Sequence, residues 1–502
     1  MRLRSWALGA AAVLVGAGVL AYALVPGVRW RTDLVAITAT GQIEGIELSD
    51  VIHMIAPGSA VSLKGLVESR NPYRSIENPF GSAEDIAAGS QAYDRDCAKC
   101  HGESGKGATA PALNRQNLVH GDSDWSLFNT IRYGVDGSAM LAANLEEREI
   151  WSVVAYLASV RSGAEEQRLA TNRIDFDPVS SEALENGRST PQDWLTYSGA
   201  YDSQRYSELD SIHSDNASRA HIAWVHQFDG AATMHEPSPV VVAGVMYLTE
   251  SPNTVHALDA QSGKRLWSYS HRNADDIAVC CGAVNRGLAI HGHTLYMGTL
   301  DSNLVALDAR TGKHLWTSDL HDHRLGSSIT AAPLVVGDKV IVGYGGGDMG
   351  VRSFLDAVNT SDGSLAWRFF TIPAEGEPGN ETWSGDSWKT GGAATWLTGS
   401  YDPENRLLYW TTGNPAPDFQ GDLREGDNLY SCSVVAINID TGELAWHFQF
   451  TPHDEHDWDA NQIPVLADRM WNGEMRRLLL LANRNGFFYV LDRDTGEFLL
   501  AE

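Results

Sequence analysis

The chain has 502 residues, of which 43% are hydrophobic, so it is too long for one ordinary domain and can bury more than one sizeable core. Its formal net charge of −27 at pH 7 argues against nucleic acid as a partner, because phosphates attract basic surfaces. The same charge is compatible with an acidic protein that meets a basic partner.

The first 31 residues predict an export segment. Two arginines precede an uncharged, largely apolar stretch over residues 5–28, which is the arrangement of a signal peptide. The "AYA" at residues 21–23 resembles a cleavage site, but the stretch is also long enough to cross a bilayer as a helix. A cleaved signal and a retained membrane anchor both stay open, and either places the rest of the chain outside the cytoplasm, where disulfides persist. Residues 32–83 are interpreted as a linker.

The stretch "CAKCHGESGKG" carries the attachment signature of c-type haem. Cys97 and Cys100 would bond covalently to the porphyrin, and His101 would ligate the iron. The alternatives are a redox Cys-x-x-Cys pair and a zinc half-site. The adjacent histidine, the export segment and the lack of a second cysteine pair of this spacing favour haem c over both.

A loop and a helix follow within residues 132–160. Four apolar residues recur at i, i+3, i+4 and i+7 and form one face of this helix: Ile150, Val153, Val154 and Leu157. This half resembles the C-terminal half of small class I cytochromes c, which implies that Met140 is the second axial ligand of the iron. We therefore expect an all-α class I cytochrome c domain over residues 84–160, followed by a polar linker over residues 161–190.

Five segments beyond residue 191 share one plan, in which an apolar strand ends in Asp or Asn, a turn contains glycine, and a second apolar or aromatic strand follows. The turn glycines are Gly263, Gly312, Gly363, Gly442 and Gly496. Their separations are 49, 51, 79 and 54 residues, and a period of roughly fifty residues built from hairpins predicts a β-propeller. The 79-residue step indicates an insertion. A β-sandwich with chance repeats would not repeat the same turn and tryptophan.

Cys280 and Cys281 are adjacent in a chain that has five cysteines. A disulfide usually joins Cα atoms about 4.4–6.8 Å apart, whereas neighbouring residues are only about 3.8 Å apart. The pair is therefore either two free thiols or a small strained ring that is kept for its shape.

The same part of the chain carries a series of motifs in a fixed order: "DWLTYSGAYDSQRY", "CCGAVNRG", "GGGDMGVRSFLDA", "GGAATWLTGSYDPE", "YWTTGNPAPDF", "TPHDEHDWD" and "NRNGFFYVLDRDTG". They resemble the pyrroloquinoline quinone (PQQ) dependent alcohol dehydrogenases of the methanol/ethanol dehydrogenase type, and the haem domain makes the chain similar to a quinohaemoprotein. The resemblance implies an all-β, eight-bladed-type propeller over residues 191–502. Because five turn repeats occur, we expect about five blades, and hence a fragment or a chain completed by another polypeptide.

The resemblance also implies a PQQ site. In that family the adjacent cysteines form the ring, which packs on one face of the quinone, and Trp396 matches the tryptophan that stacks on the other face. Further residues match family contacts to the polar edge of PQQ: Glu236, Arg286, Thr330, Gly345, Gly346, Gly347 and Arg484.

A cation next to the quinone is implied as well, with oxygen ligands from Asp348, Asn414 and Asp457. Asp348 stands where the family usually has glutamate, and Asp457 also matches the catalytic base. Asp459 follows two residues later, so both carboxylates would face one side of an extended segment. This resembles family members that use lanthanides, and we expect either Ca²⁺ or a lanthanide.

The function implied by the resemblance is periplasmic oxidation of an alcohol by hydride transfer to metal-bound PQQ. Electrons would pass singly to the haem and then to a downstream acceptor, either a cytochrome c or a membrane quinone/oxidase chain. Two alternatives stay open: a non-enzymatic propeller scaffold, as in envelope assembly factors, and an electron-transfer protein with a degenerate site. A scaffold would need the turn-and-tryptophan plan but neither the adjacent cysteines nor Asp457 nor a haem.

Overall fold

The computed structural model describes residues 76–502 except 77, 115–117, 119, 122, 136–137, 172, 229–233 and 275. The predicted export segment and most of the linker predicted over residues 32–83 lie outside the described residues. The chain divides into two compact units, Met1–Arg168 and Leu169–Glu502. Within the described part of the chain, every helix is too short or too polar to cross a membrane.

The first unit is helical. Its helices are α1 (Ala83–Asp96), α2 (Ala98–His101), α3 (Asp124–Tyr133) and α4 (Glu147–Thr171), with a 3₁₀ turn at Glu103–Gly105. The start of α1 is fixed by a capping box, in which Ser82 accepts from the main chain of Asp85 and the Asp85 carboxylate accepts from the main chain of Ser82.

The core of this unit lies between α1, α3 and α4. The predicted apolar face of α4 is buried, with Val153 and Val154 fully inaccessible, and it packs against Leu127 and Phe128 of α3. Helix α1 approaches α4 closely at Gly89, where a Cβ would lie 1.9 Å from the carbonyl oxygen of Ser152. The prediction of a small all-α domain is confirmed.

The segment over residues 161–190 differs from the predicted linker. Helix α4 continues to Thr171, because the polar residues beyond its apolar face are still good helix formers. The main chain of Ile174 then bonds to Arg310 of the second unit. Farther on, α5 (Ser181–Glu185) buries Leu184 in the core of that unit. A few apolar side chains suffice for this packing, and they are too few to produce a periodic pattern.

The second unit contains five four-stranded antiparallel sheets, each a meander in which the strands pair in chain order. The first sheet consists of β1 (Val240–Val242), β2 (Val245–Glu250), β3 (Thr254–Asp259) and β4 (Arg265–Ser270). The second consists of β5 (Ala289–His291), β6 (Thr294–Gly298), β7 (Asn303–Asp308) and β8 (His314–Asp319). The third consists of β9 (Leu334–Val336), β10 (Lys339–Gly343), β11 (Phe354–Asn359) and β12 (Leu365–Phe370).

The fourth sheet consists of β13 (Ser400–Asp402), β14 (Leu407–Thr411), β15 (Ser433–Asn438) and β16 (Leu444–Gln449). The fifth consists of β17 (Val465–Trp471), β18 (Glu474–Ala482), β19 (Phe488–Asp492) and β20 (Phe498–Ala501). Short 3₁₀ turns lie at Ala217–Arg219, His323–Leu325, Gly347–Met349, Asn380–Thr382, Ser387–Thr390 and Gly421–Leu423. These sheets confirm the predicted propeller fold with about five blades.

Tryptophans connect each sheet to the turn glycine of the next. Gly312 has a φ of +75°, and a Cβ on it would lie 2.6 Å from the ring of Trp267 in the preceding sheet. Gly363, Gly442 and Gly496 meet Trp316, Trp367 and Trp446 in the same way. Glycine alone tolerates both this backbone conformation and this close approach. The contact between neighbouring sheets therefore explains why glycine and tryptophan recur together in the sequence.

The predicted insertion is divided between two long connections. Residues 371–399 join β12 to β13, and residues 412–432 join β14 to β15. In an antiparallel meander, the connection that follows the second strand and the one that follows the fourth strand emerge at the same end. Both parts of the insertion therefore enlarge one end of the sheets.

Candidate functional site

Every propeller residue predicted to bind a cofactor or a metal lies in a connection at this enlarged end. Connections between sheets, or leading into the first sheet, carry Glu236, Cys280, Cys281, Arg286, Thr330, Trp396, Asp457 and Asp459. Connections from the second to the third strand carry Gly345, Gly346, Gly347, Asp348, Asn414 and Arg484. The glycine turns lie at the opposite end, so the meander separates the repeated residues from the predicted site residues.

Cys280 and Cys281 are joined by a disulfide bond. Sγ of Cys280 lies 2.8 Å from Oδ2 of Asp348, which is 68 positions away in the sequence. The potential ligand atoms of these three residues lie within 4.8 Å of one another. Bonded sulfurs are not thiolates, and the thiolate is the form that ligates metals, so a cation here would depend on oxygen ligands.

Arg286 brings four of the predicted residues together. Its guanidinium lies 2.8 Å from Oε2 of Glu236 and 4.8 Å from the ring centroid of Trp396, which is a cation–π distance. Its main-chain N–H donates to the carbonyl of Thr330. Residues from four connections thus form one continuous patch that combines an arginine, a carboxylate and an aromatic face.

The three glycines form a closely packed floor next to this patch. A Cβ on Gly347 would lie 3.2 Å from the Cβ of Ala394, and one on Gly345 would lie 3.2 Å from the hydroxyl of Ser328. Gly346 has a φ of +108°, and a Cβ there would meet the carbonyl of Gly326 at 2.3 Å. Side chains at these positions would collide with the neighbouring connections, so glycine allows the main chain to pack closely here.

Asp348 and Asp457 are the acidic residues predicted to hold the cation. Burial raises the pKa of Asp348, and the negative charges of Asp418 and Asp457 raise it further. Burial also raises the pKa of Asp457, whose φ of +61° is an uncommon conformation for a residue other than glycine. The charge of Asp457 destabilises the charged form of Asp348, and a cation between the two carboxylates would relieve this repulsion.

Asp459 and Arg484 form a salt bridge in this cluster. One carboxylate oxygen of Asp459 accepts from the main-chain N–H of Asn414 at 2.9 Å, and the other lies 2.8 Å from Nη1 of Arg484. Burial raises the pKa of Asp459 to about 6. Both oxygens of Asp459 are therefore engaged with protein groups, and Arg484 lies among the predicted metal ligands, 3.9 Å from Asp457.

Sequence reasoning missed two polar residues of this cluster. Asp418 accepts a hydrogen bond from the side-chain amide of Asn414. It lies within the stretch "YWTTGNPAPDF", but the resemblance implied no role for it. Asn461 is fully buried, and its Oδ1 has no hydrogen-bond partner among the described residues. The alternation that singled out Asp457 and Asp459 extends by two residues to Asn461 and would have identified it.

The residues present fit a hard cation and a planar anionic cofactor. Carboxylate and amide oxygens are the donors that Ca²⁺ prefers. Burial raises the pKa of Asp348 and Asp457 and so disfavours their charged forms, which a cation would favour. An arginine beside an aromatic face suits a planar carboxylated molecule. The fit rests on this set of donors and not on any bound group.

The helical unit carries the predicted haem residues. Cys97 and Cys100 are free thiols, and burial raises the pKa of Cys97 to about 11. Nδ1 of His101 lies 2.9 Å from the carbonyl oxygen of Pro111. A ring nitrogen held in this way leaves Nε2 for a metal. Met140 packs against the apolar core of the unit.

Comparison with known proteins gives the same division of the chain. Residues 194–501 match the family model described as glucose/ethanol/alcohol dehydrogenase, beta-propeller domain. Residues 84–157 match the model described as cytochrome C oxidase, cbb3-type, subunit III.

Similar individual proteins cover the propeller part. The quinoprotein alcohol dehydrogenase PedH of Pseudomonas putida is 42% identical over 64% of this chain and 57% of its own length. The quinohemoprotein alcohol dehydrogenase ADH IIB of Pseudomonas putida is 44% identical over 63% of this chain and 48% of its own length. A solved europium-containing methanol dehydrogenase superimposes with a TM-score of 0.61 at 38% identity, covering 64% of this chain and 60% of that one. The chain spans about half the length of the curated relatives that it matches.

Proposed function

Because the chain belongs to the glucose/ethanol/alcohol dehydrogenase family of PQQ β-propellers, we propose that it oxidises an alcohol to an aldehyde or ketone at this end of its sheets. The observation that supports this most strongly is the convergence of separate connections on one place. The disulfide contacts Asp348, and Arg286 lies between Glu236 and Trp396. A propeller that served only as a scaffold would not need this convergence.

Bound PQQ would supply a hydride acceptor, and a cation would supply Lewis-acid polarisation. Asp348, Asp457 and the side-chain oxygen of Asn414 would hold the cation. Asp457 takes the hydroxyl proton of the alcohol as general base. Arg484, 3.9 Å from the Asp457 carboxylate, lowers the pKa of Asp457 and opposes the effect of burial. The arginine therefore keeps the base in its proton-accepting form.

The helical unit would pass the electrons onward. Cys97 and Cys100 would attach the haem, and His101 and Met140 would ligate its iron. A haem held there would supply one-electron transfer to a downstream acceptor, either a cytochrome c or a membrane quinone/oxidase chain. The predicted export segment would bring the enzyme to the periplasm, as a soluble protein or anchored by its N-terminus.

The test is reconstitution of the full chain with PQQ and either Ca²⁺ or La³⁺, followed by assay with primary and secondary alcohols and an artificial electron acceptor. We expect PQQ-dependent turnover and a haem that survives acid-acetone extraction. Failure to bind PQQ with the Cys280–Cys281 disulfide intact would contradict the proposal. Met140→Ala should change the axial ligation and the reduction potential, and an unchanged spectrum and potential would show that another residue is the ligand.

The cation is Ca²⁺ or a lanthanide, and Asp459→Ala separates the two. A trivalent ion takes more anionic ligands, so loss of turnover with La³⁺ alone would identify Asp459 as a lanthanide ligand. Equal loss with both ions would show that Asp459 acts through its bonds to Asn414 and Arg484.

A further inference from the structure

Asp418 is a carboxylate at the site to which neither the family motifs nor the roles proposed above give a function. It lies in the long connection over residues 412–432, and its Oδ1 accepts from Nδ2 of Asn414 at 2.8 Å. A side-chain amide has a donor end and an acceptor end. The bond to Asp418 engages the donor end of Asn414, so the acceptor oxygen is turned away from Asp418.

Arg424 holds Asp418 in place. Its side chain is fully buried, and Nη2 donates to the carbonyl of Asp418 at 2.8 Å, while Nε donates to the carbonyl of Pro417 at 3.1 Å. The same Nη2 donates to the carbonyl of Asp454 at 2.5 Å. One guanidinium therefore connects the segment that carries Asn414 to the segment that carries Asp457.

The segment on the other side of Arg424 is equally well fixed. The Asp454 carboxylate is buried and accepts from the main-chain N–H groups of His456 and Trp458. These two residues flank Asp457, whose φ is +61°. Asp418 thus belongs to a rigid frame in which the main chains on both sides of the predicted cation site are held by side chains.

The negative charge of Asp418 raises the pKa of both Asp348 and Asp457. The Asp418 carboxylate is therefore close enough to interact electrostatically with the predicted cation ligands. The Asp418 side chain is, however, only half-buried, and its hydrogen bond is with the Asn414 amide. Orientation of Asn414 and direct attraction of the cation are thus two separable roles.

We propose that Asp418 is a positioning residue that turns the side-chain oxygen of Asn414 towards the cation held by Asp348 and Asp457. The inference rests on the proposed function, because it needs a cation at this site. Loss of a group that hydrogen-bonds to a metal ligand and orients it typically lowers metal affinity by about 10- to 100-fold. Asp418 acts here through its acceptor oxygen, so its charge is secondary.

The experiment is a titration of the full chain, without PQQ, with Tb³⁺ at pH 7, followed by tryptophan-sensitised luminescence. Asp418→Ala should weaken Tb³⁺ binding by about 10- to 100-fold, the usual cost of losing such an orienting partner. Asp418→Asn keeps an acceptor oxygen and should stay within about threefold of the wild type. Asp422→Ala removes an exposed carboxylate from the same connection and should leave binding unchanged.

Each other result overturns the inference. Equal weakening by Asp418→Asn and Asp418→Ala would mean that Asp418 acts by its charge or as a direct ligand. Wild-type affinity in Asp418→Ala would mean that Asn414 is oriented without it. If circular dichroism shows that Asp418→Ala does not fold, Asp418→Leu, which has a similar shape and no acceptor, is tested against the same expectations.

The proposed cation site has its own control. Asp348→Ala and Asp457→Asn should each weaken Tb³⁺ binding. If the wild type does not bind Tb³⁺, or binds it independently of Asp348 and Asp457, the cation site itself is wrong and the role of Asp418 falls with it. If those variants weaken binding and Asp418→Ala does not, only the inference about Asp418 fails.

Discussion

The two ends of the five sheets are built from the same strands, but the carboxylates of the glycine turns and those of the proposed cation site have pKa values shifted in opposite directions. At the glycine-turn end, a hydrogen bond from the Ser262 side chain lowers the pKa of Asp259, and one from Arg406 lowers that of Asp440. At the site end, burial raises the pKa of Asp348, Asp457 and Asp459.

This difference shows what each end is built to do. The turn carboxylates find their donors mostly within the same turn, so their charge is satisfied and contributes to a stable hairpin. The site carboxylates come from different connections and crowd one another, with Arg484 as a nearby cation. A bound cation would stabilise the charged state of these carboxylates, so the proposed site would trade some stability of the cation-free fold for binding.

The largest effect should come from the proposed base. Asp457→Asn should lower kcat/KM of the reconstituted chain by about 10²- to 10⁴-fold, the usual contribution of a general base, with little change in thermal stability. Steady-state kinetics and a thermal melt are the measurements. Asp422→Asn, in a neighbouring connection, serves as the control. Retained turnover in Asp457→Asn with Ca²⁺ or La³⁺ would assign the base to another residue.

The second largest effect is expected at the glycine-turn end of the sheets. A substitution there should lower the unfolding free energy without changing catalysis. Gly312→Ala places a Cβ 2.6 Å from Trp267 at a φ of +75°, so overpacking and backbone strain should cost about 2–4 kcal/mol of unfolding free energy. Urea unfolding measures the loss.

Gly337→Ala is the matched control for this change. Its φ is +59°, but a Cβ there meets nothing within 4 Å, so only the backbone strain of about 1–2 kcal/mol should appear. Equal losses in the two variants would mean that the tryptophan contact does not hold neighbouring sheets together.

The smallest effect is expected in the pH dependence of the unfolding free energy. The pKa of Asp459 is about 6 in the folded chain, above its ordinary value of 3.8, so between these values the folded state keeps a proton that the unfolded state has released. The cation-free chain should therefore lose unfolding free energy as the pH rises from about 4 to about 6, by at most about 3 kcal/mol through this group.

Asp459→Asn should lack this component in urea unfolding measured across the same pH range. Asp440 gives the contrast, because its lowered pKa stabilises the fold above its unfolded pKa and that contribution is lost as the pH falls. A wild-type profile in Asp459→Asn would show that Asp459 carries its charge in the folded state without cost.

Patterns that are local in the chain predicted most of the architecture. The spacing of Gly263, Gly312 and Gly363 indicated the hairpins. The apolar face over residues 150–157 indicated the last helix of the helical unit. The hairpins and this helix depend on contacts within a turn, within one helix face or between adjacent repeats. Periodicity in the sequence is therefore enough to predict them. The length of α4 was missed because polar helix formers carry no periodic pattern.

The detailed site was decided by tertiary structure. That Asp418 engages the amide of Asn414, and that Arg424 connects their segment to the one carrying Asp457, follows from how long connections pack against each other. Such contacts have no fixed spacing in the sequence, because they depend on the positions of whole sheets. The sequence by itself determined which repeats, turns and motifs are present, whereas the tertiary structure decided which carboxylates meet, since their distances and burial exist only once the sheets have packed.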